Sequence, residues 1–208
     1  MKHLEKHNIL SDLQHGYRNK CSTETQLLRI INLLAKGMDN KKQIDVISLD
    51  LHRAFDVVPI ERLLQKLNYY GIRNLLPWFK DFLSGRTQKV VIDGVKSRLI
   101  EALSGIGQGT VTAGLLFLIF INDLPECVTD SFTGLFCDDK VVDWTRQWGM
   151  KFNTLKCVVM TVGNKWKKLQ NNYHFDTMVP VHSGAPSGLR ILLAKVIISA
   201  AVLELEPP

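Results

Sequence analysis

The spacing of apolar residues changes several times along the 208 residues, and each change marks an element. After a polar start, Leu27, Ile30, Ile31 and Leu34 recur at helical spacing behind Thr23-Glu24-Thr25-Gln26, a capping-box pattern. Residues 24–38 therefore read as an amphipathic helix, ended by Gly37 and Asp39-Asn40. The period then drops to two. Ile47, Leu49 and Leu51 alternate with polar or small positions, which predicts a strand. Pro59 suits a helix start, where its missing N–H costs nothing. Leu63, Leu64, Leu67 and Tyr70 form that helix's buried face, and Gly71 caps its end. Leu75, Leu76, Trp78, Phe79, Phe82 and Leu83 make a shorter helix ended by Gly85, its Trp/Phe stripe assigned to the core. Lys89-Val90-Val91-Ile92 and residues 95–100 flank Asp93-Gly94, a hairpin turn. A glycine-rich loop, Ser104-Gly105-Ile106-Gly107-Gln108-Gly109-Thr110, precedes a strongly apolar helix over 115–121, which Asn122-Asp123-Leu124-Pro125 ends. Residues 157–162 read as a strand, and Lys165-Trp166-Lys167-Lys168 as a basic, aromatic patch. Beyond about Asn171 the pattern carries no purpose, and the tail is expected as a weakly packed helix or as disorder.

Two of the apolar runs end in carboxylates. Asp50 falls where its strand meets the following loop, and Asp138-Asp139 follows Gly134-Leu135-Phe136-Cys137, read as a short hairpin with the acidic pair at its tip. Side-by-side pairing of the two strands would bring three carboxylates together, an arrangement that is costly unless cations fill it. Hard oxygen donors of this kind suit Mg²⁺, and two such ions serve in-line displacement at phosphorus. Taken alone, an Asp-Asp pair more often marks a solvated turn or a helix cap.

Composition adds direction. A hydrophobic share of 46% supplies a sizeable core, and the net charge of +6 fits an acidic partner such as nucleic acid, although many soluble proteins are as basic. The four cysteines form no C-x-x-C, which argues against zinc and for a reducing, intracellular setting, nucleus or cytoplasm. No apolar segment follows the charged start, so no secretory signal is expected, and the run at 196–203 is too short to span a bilayer. Arg18, in the basic loop Gly16-Tyr17-Arg18-Asn19-Lys20, has the fork to hold a phosphate, although a solvated loop arginine reads the same way. The glycine loop before a helix suits close approach of a phosphate, but it is not a Walker loop, and a plain turn would look alike.

Taken in order, these pieces resemble the reverse transcriptase domain of non-LTR (LINE-type, jockey-like) retrotransposons over residues 3–162. Leu49-Asp50-Leu51-His52-Arg53-Ala54-Phe55-Asp56-Val57-Val58-Pro59 resembles the first palm motif. Gly105-Ile106-Gly107-Gln108-Gly109-Thr110 with the apolar helix to Pro125 resembles the second, Phe136-Cys137-Asp138-Asp139 the third, and residues 148–160 around Lys156 the fourth. Gln14-His15-Gly16-Tyr17-Arg18 with Ser22-Thr23-Glu24 resembles a fingers motif. The resemblance implies Asp50, Asp138 and Asp139 as catalytic aspartates holding two Mg²⁺, Asp50 and Asp138 most directly. It implies Phe55 under the sugar, Arg18 on the incoming triphosphate, Gln108 and Gly109 in the nucleotide pocket, and Lys156 by the leaving pyrophosphate. The implied partners are an RNA template, a DNA primer and deoxynucleoside triphosphates, with no membrane.

The chain also departs from the pattern. Gly107 stands where the family carries proline, Ala113-Gly114 where it carries Gly-Pro, and Lys140 where a threonine follows the acidic pair. The short step from Asp139 to Trp148 leaves the family's helix between the third and fourth motifs missing, near 140–147. The expected architecture is α+β, a polymerase palm built as an antiparallel sheet with helices on one face. It comprises a partial fingers segment at 1–45, the palm at 46–162 and a divergent tail at 163–208, with no thumb. Two functions follow from this truncated, internally deleted pattern: an RNA-directed DNA polymerase of impaired activity, or an inactive remnant that at most binds nucleic acid.

Overall fold

The computed structural model describes residues 1–41, 44–127, 139–162 and 189–194. The chain divides into two compact units, Met1–Ile9 with Arg53–Ile121, and Leu10–His52 with Asn122–Pro208. The first 45 residues are thus shared between both units.

The first unit is helical, with a hairpin. Helix α1 (Lys2–Lys6) is a short leader whose Leu4 is buried. Helix α3 (Ile60–Tyr69) starts behind Pro59 as expected and buries Leu63 and Leu67. It also buries Lys66, 3% exposed, which the apolar pattern does not announce. The Lys66 ammonium donates to the Phe120 carbonyl and lies 4.9 Å from the centre of the Phe120 ring. That carbonyl belongs to the last turn of α5 (Val111–Phe120), where a helix C-terminus attracts a cation. Helix α4 (Leu76–Leu83) buries Phe79 and Leu83. Trp78, assigned to the core from its stripe, is instead 51% exposed and stacks on Phe82 at 5.1 Å. An eight-residue helix shows its core only the positions three and four apart, and Phe79 with Leu83 takes them.

The hairpin forms two short ladders. Strands β3 (Val91–Ile92) and β4 (Val95–Lys96) pair across Asp93-Gly94, and β2 (Thr87–Gln88) pairs with β5 (Ile100–Glu101) below them. Asp93 and Gly94 both have positive φ, 49° and 82°, as the two-residue hairpin turn requires. The hairpin's apolar residues, Val90, Val91, Ile92, Val95 and Ile100, are exposed.

The second unit is built on β1 (Ile44–Leu49), whose residues are all buried except Ser48. Strand β6 (Val158–Val162) pairs with it antiparallel, Ile44 opposite Val162 and Ser48 opposite Val158. Strand β7 (Leu189–Ala194) pairs with its other edge in parallel, Ile44 opposite Leu189 and Leu49 opposite Ala194. The sheet is therefore mixed, order β6-β1-β7, and the expectation of a purely antiparallel sheet is corrected by β7. Part of the tail, taken as helix or disorder, is thus a strand. The segment is Leu-Arg-Ile-Leu-Leu-Ala, in which the β-branched and leucine residues after Arg190 suit a strand. The segment 134–138, expected to pair beside β1, lies outside the described residues.

Helix α2 (Thr23–Asp39) packs on this sheet through Leu33 and Leu34 against Ile44 and Val46. Its N-cap is Ser22, one residue earlier than expected. The Ser22 hydroxyl accepts from the Thr25 N–H at 3.3 Å, and the Thr25 hydroxyl accepts from the Ser22 N–H at 2.9 Å. The seated face is rotated from the expected one, leaving Leu27 and Ile31 exposed.

Helix α6 (Asp139–Trp148) overturns the expectation of a missing helix at 140–147. Val141, Val142, Trp144 and Thr145 are buried at helical spacing, and the short 3-10 helix Leu124–Cys127 lies against it. The Trp144 indole N–H donates to the Asp123 carboxylate at 2.9 Å, which fixes the helix to the Asn122-Asp123 corner. Among the described residues no helix is long and apolar enough to cross a membrane.

Candidate functional site

In the second unit, Asp50 stands directly at the exit of β1 and is half-buried. Its backbone is held on both sides by residues 151–157. The Asn153 N–H donates to the Asp50 carbonyl at 2.7 Å, and the His52 N–H donates to the Lys151 carbonyl at 2.8 Å. Leu51 bridges antiparallel to Phe152. The Asp50 N–H points at the Cys157 sulfur, 3.5 Å away. These bonds continue the β1–β6 pairing past the regular strand and place the carboxylate where the strand gives way to loop. The one-turn helix Thr154–Lys156 follows Asn153, so Lys156, exposed, lies in the turn beside the segment that pairs with Asp50. The turn that holds Lys156 thus follows directly on the Asn153 residue that pairs with Asp50.

The acidic pair is only partly within view. Asp138 lies outside the described residues, and Asp139 is the first residue of α6. Among the described residues no group of three or more His, Cys, Asp or Glu side chains is placed to hold a metal ion. The described donor, Asp50, is a hard carboxylate oxygen ligand at an element's end, which suits Mg²⁺ by its chemistry.

Arg18 is engaged with its own loop. Its Nη1 donates to the Ser11 carbonyl at 2.7 Å and the Gln14 carbonyl at 3.2 Å, and its Nη2 lies 3.9 Å from the exposed Asp12 carboxylate. Nearby, His15 Nδ1 meets the Thr25 hydroxyl at 2.9 Å. Burial, and then the charges of Arg29 and Arg18, hold the His15 pKa below its ordinary 6.5.

In the first unit, Phe55, Gln108 and Gly109 surround one loop crossing. Phe55 stacks on Phe117 of α5, ring centres 4.5 Å apart and 28° from parallel. Its carbonyl accepts from the Ile106 N–H at 2.8 Å. The Gln108 amide donates to the Asp56 carboxylate at 2.7 Å, and the Ser104 hydroxyl donates to the Asp56 carbonyl at 2.8 Å. Gly109 and Thr110 lead into the N-terminus of α5. The loop after β1 and the glycine-rich loop are therefore locked together, aromatic wall and amide on one frame.

Sequence reasoning missed what makes that crossing possible. Gly105 has φ +89°, and a Cβ on it would meet the Asp56 carbonyl oxygen at 2.6 Å. This glycine lets the two backbones touch, and its place as first of the three spaced glycines was the available signal. Arg86 was also missed. Its guanidinium donates to the carbonyls of Leu83, Ser104 and Gly105 at 2.8, 3.1 and 2.6 Å, tying the hairpin's base to the glycine loop. An arginine acting on backbone carbonyls leaves no sequence signature.

The family model for reverse transcriptase (RNA-dependent DNA polymerase) matches residues 1–143. The RNA-directed DNA polymerase from the mobile element jockey of Drosophila melanogaster is 28% identical over 181 residues, 73% of this chain and 20% of that protein. Its counterpart from Drosophila funebris is 27% identical over 182 residues, again 73% of this chain and 20% of that protein. A probable RNA-directed DNA polymerase from the Drosophila melanogaster transposon BS is 29% identical over 128 residues, 59% of this chain and 14% of that protein. The chain spans about a fifth of the length of the jockey relatives it matches. A match over residues 1–143 of 208, joined to an α+β fold with Asp50 at the end of its central strand, places the chain in the reverse transcriptase family of mobile elements.

Proposed function

We propose that this chain carries the polymerising site of an RNA-directed DNA polymerase, adding deoxynucleotides to a primer 3′-OH on an RNA template. The observation that carries the reading is the placement of Asp50: its backbone is pinned through Asn153, and its carboxylate stands at the mouth of β1. Asp138 and Asp139 complete the carboxylate set in this reading, and the domain acts as palm with part of the fingers. Two Mg²⁺, when bound, would neutralise charge developing on the transferred phosphoryl group and on the attacking and leaving oxygens.

The chain's own residues bind and orient. Phe55, fixed by its stack on Phe117, walls the sugar and disfavours a 2′-hydroxyl. Gln108 and Gly109 line the pocket at the templating pair, with Gln108 oriented by Asp56. Arg18 trades its distant contact with Asp12 for the triphosphate, keeping its Ser11 and Gln14 anchors. Lys156, exposed beside the Asp50 segment, gives a proton to the leaving pyrophosphate.

The second reading is nucleic-acid binding without synthesis, and the exposed hairpin favours it. Lys89, Lys96 and Arg98 stand in solvent among apolar residues there, a surface suited to a polyanion. Both readings predict binding that weakens with salt. Primer extension separates them: purified protein receives an RNA template, a DNA primer, deoxynucleotides and Mg²⁺, beside an Asp138→Asn, Asp139→Asn control. Extension that the control abolishes supports polymerisation. Salt-sensitive binding with no change in primer length leaves binding alone.

A further inference from the structure

We propose that Cys157 is the positioning residue for Asp50. The inference rests on the reading of Asp50 as a metal-binding carboxylate, although the contact itself does not.

The geometry is specific. The Cys157 sulfur accepts from the Asp50 N–H at 3.5 Å, and the thiol lies 3.9 Å from the Asp50 carbonyl oxygen as a donor. One side chain thus bridges both polar groups of the same peptide-bearing residue, 107 positions away in sequence. Cys157 is buried and carries a thiol. Its own N–H donates to the Asn153 carbonyl at 3.1 Å, and the Asn153 N–H donates to the Asp50 carbonyl at 2.7 Å. Asp50, Asn153 and Cys157 therefore close a small ring of bonds. The ring is made through the Asp50 backbone and leaves its carboxylate out.

That division has a physical consequence. Asp50 lies one residue beyond the β1 ladder, where a strand end ordinarily frays. A carboxylate that must meet a metal ion needs its Cα fixed, because small misplacements cost heavily in positioned chemistry. Backbone pairing at Asn153 fixes the carbonyl side. The Cys157 sulfur fixes the N–H side. A sulfur is large enough to reach across a gap too wide for a hydroxyl, and apolar enough to remain buried.

The test begins without catalysis. In Cys157→Ala, the Asp50 amide exchanges with solvent about fivefold faster, as loss of one hydrogen bond implies, while the amides of β1 from Ile44 to Ser48 keep their rates. Terbium alone serves as the metal probe, with Asp50→Asn as the control that loses its luminescence. Cys157→Ala needs about fivefold more terbium for half-saturation, and about fivefold more Mg²⁺ for half-maximal primer extension at unchanged nucleotide KM. Cys157→Ser, whose hydroxyl is too short for the gap, shifts each quantity as Cys157→Ala does. Unchanged Asp50 exchange in Cys157→Ala overturns the contact. Faster exchange with an unchanged metal requirement overturns the positioning role. If terbium binding depends on Asp50 but no primer is extended, the polymerase reading falls while the clamp stands; if terbium ignores Asp50, both fall.

Discussion

The two compact units are held by opposite kinds of contact. In the first, α3, α4 and α5 pack through elements that follow one another closely, and the loop crossing at Asp56 and Gly105 joins residues about fifty positions apart. In the second, β1 draws its neighbours from 158–162 and 189–194, more than a hundred positions downstream. Closing loops of that length costs chain entropy before any pairing is gained, although the cost grows only slowly with length. The first unit is therefore the part expected to form early and locally. The second, which carries Asp50, depends on distant segments arriving in the right register. Asp50, the carboxylate proposed to bind metal, stands on the more conditional half.

Variants sharpen or break that contrast. The largest effect on stability is expected for Phe117→Ala. It removes a fully buried ring and the stack under Phe55, costing about 3–5 kcal/mol, and chemical denaturation measures it. Hydrogen exchange in β1 is the companion readout: rates near wild type in this variant keep the contrast, and a loss of β1 protection removes it. Gly105→Ala comes next, at about 2–3 kcal/mol. It sets a Cβ against the Asp56 carbonyl at a positive φ, and its effect should again be confined to the first unit.

In the second unit, Asp45→Ala probes the buried strand. Asp45 is 3% exposed and accepts from the Thr161 hydroxyl at 2.8 Å. Loss of that hydrogen bond should cost about 1 kcal/mol, measured by chemical denaturation. Ser22→Ala removes the N-cap of α2 and should cost about 1 kcal/mol, seen as fraying of residues at the helix start. The smallest effect is pH-dependent. The folded His15 pKa is lowered, so the unfolded chain binds the extra proton first. Stability from this group is complete above pH 6.5 and is lost as pH falls through that value. His15→Gln should flatten the stability profile below pH 6.5, and an unchanged slope would remove His15 from the account.

What the sequence disclosed follows the same division. Pro59, Gly71, Gly85 and Asp93-Gly94 are local punctuation, and the helices and hairpin they predict are present. The strand carrying Asp50 was legible from its alternation, because a period of two survives without knowing the partner. Its partners were not. Leu189–Ala194 is a short, mostly apolar segment interrupted by Arg190, which periodicity alone cannot assign to helix or strand, and its pairing with the edge of β1 decides it. The helix at Asp139–Trp148 had its signal in Val141, Val142 and Thr145, but the family's spacing was weighed above the residues' own periodicity. Trp78 shows the converse limit: an aromatic stripe indicates helix, not which ring meets the core. At the candidate site, the aspartates were readable as residue types, whereas the supports of Asp50 come from the Asn153 backbone and Cys157, and those of Phe55 and Gln108 from the Phe117 ring and the Asp56 carboxylate, pairings that no motif reports.

The most direct test of the central claim is incorporation of a single matched deoxynucleotide on an RNA template with Mg²⁺, comparing the wild-type chain with Asp50→Asn. The account predicts incorporation by the wild type and a loss of about a thousandfold or more in the variant, because the change removes several kcal/mol of metal-assisted stabilisation at unchanged fold. Equal incorporation by both proteins would contradict it, since the carboxylate at the end of β1 would then have no part in the reaction.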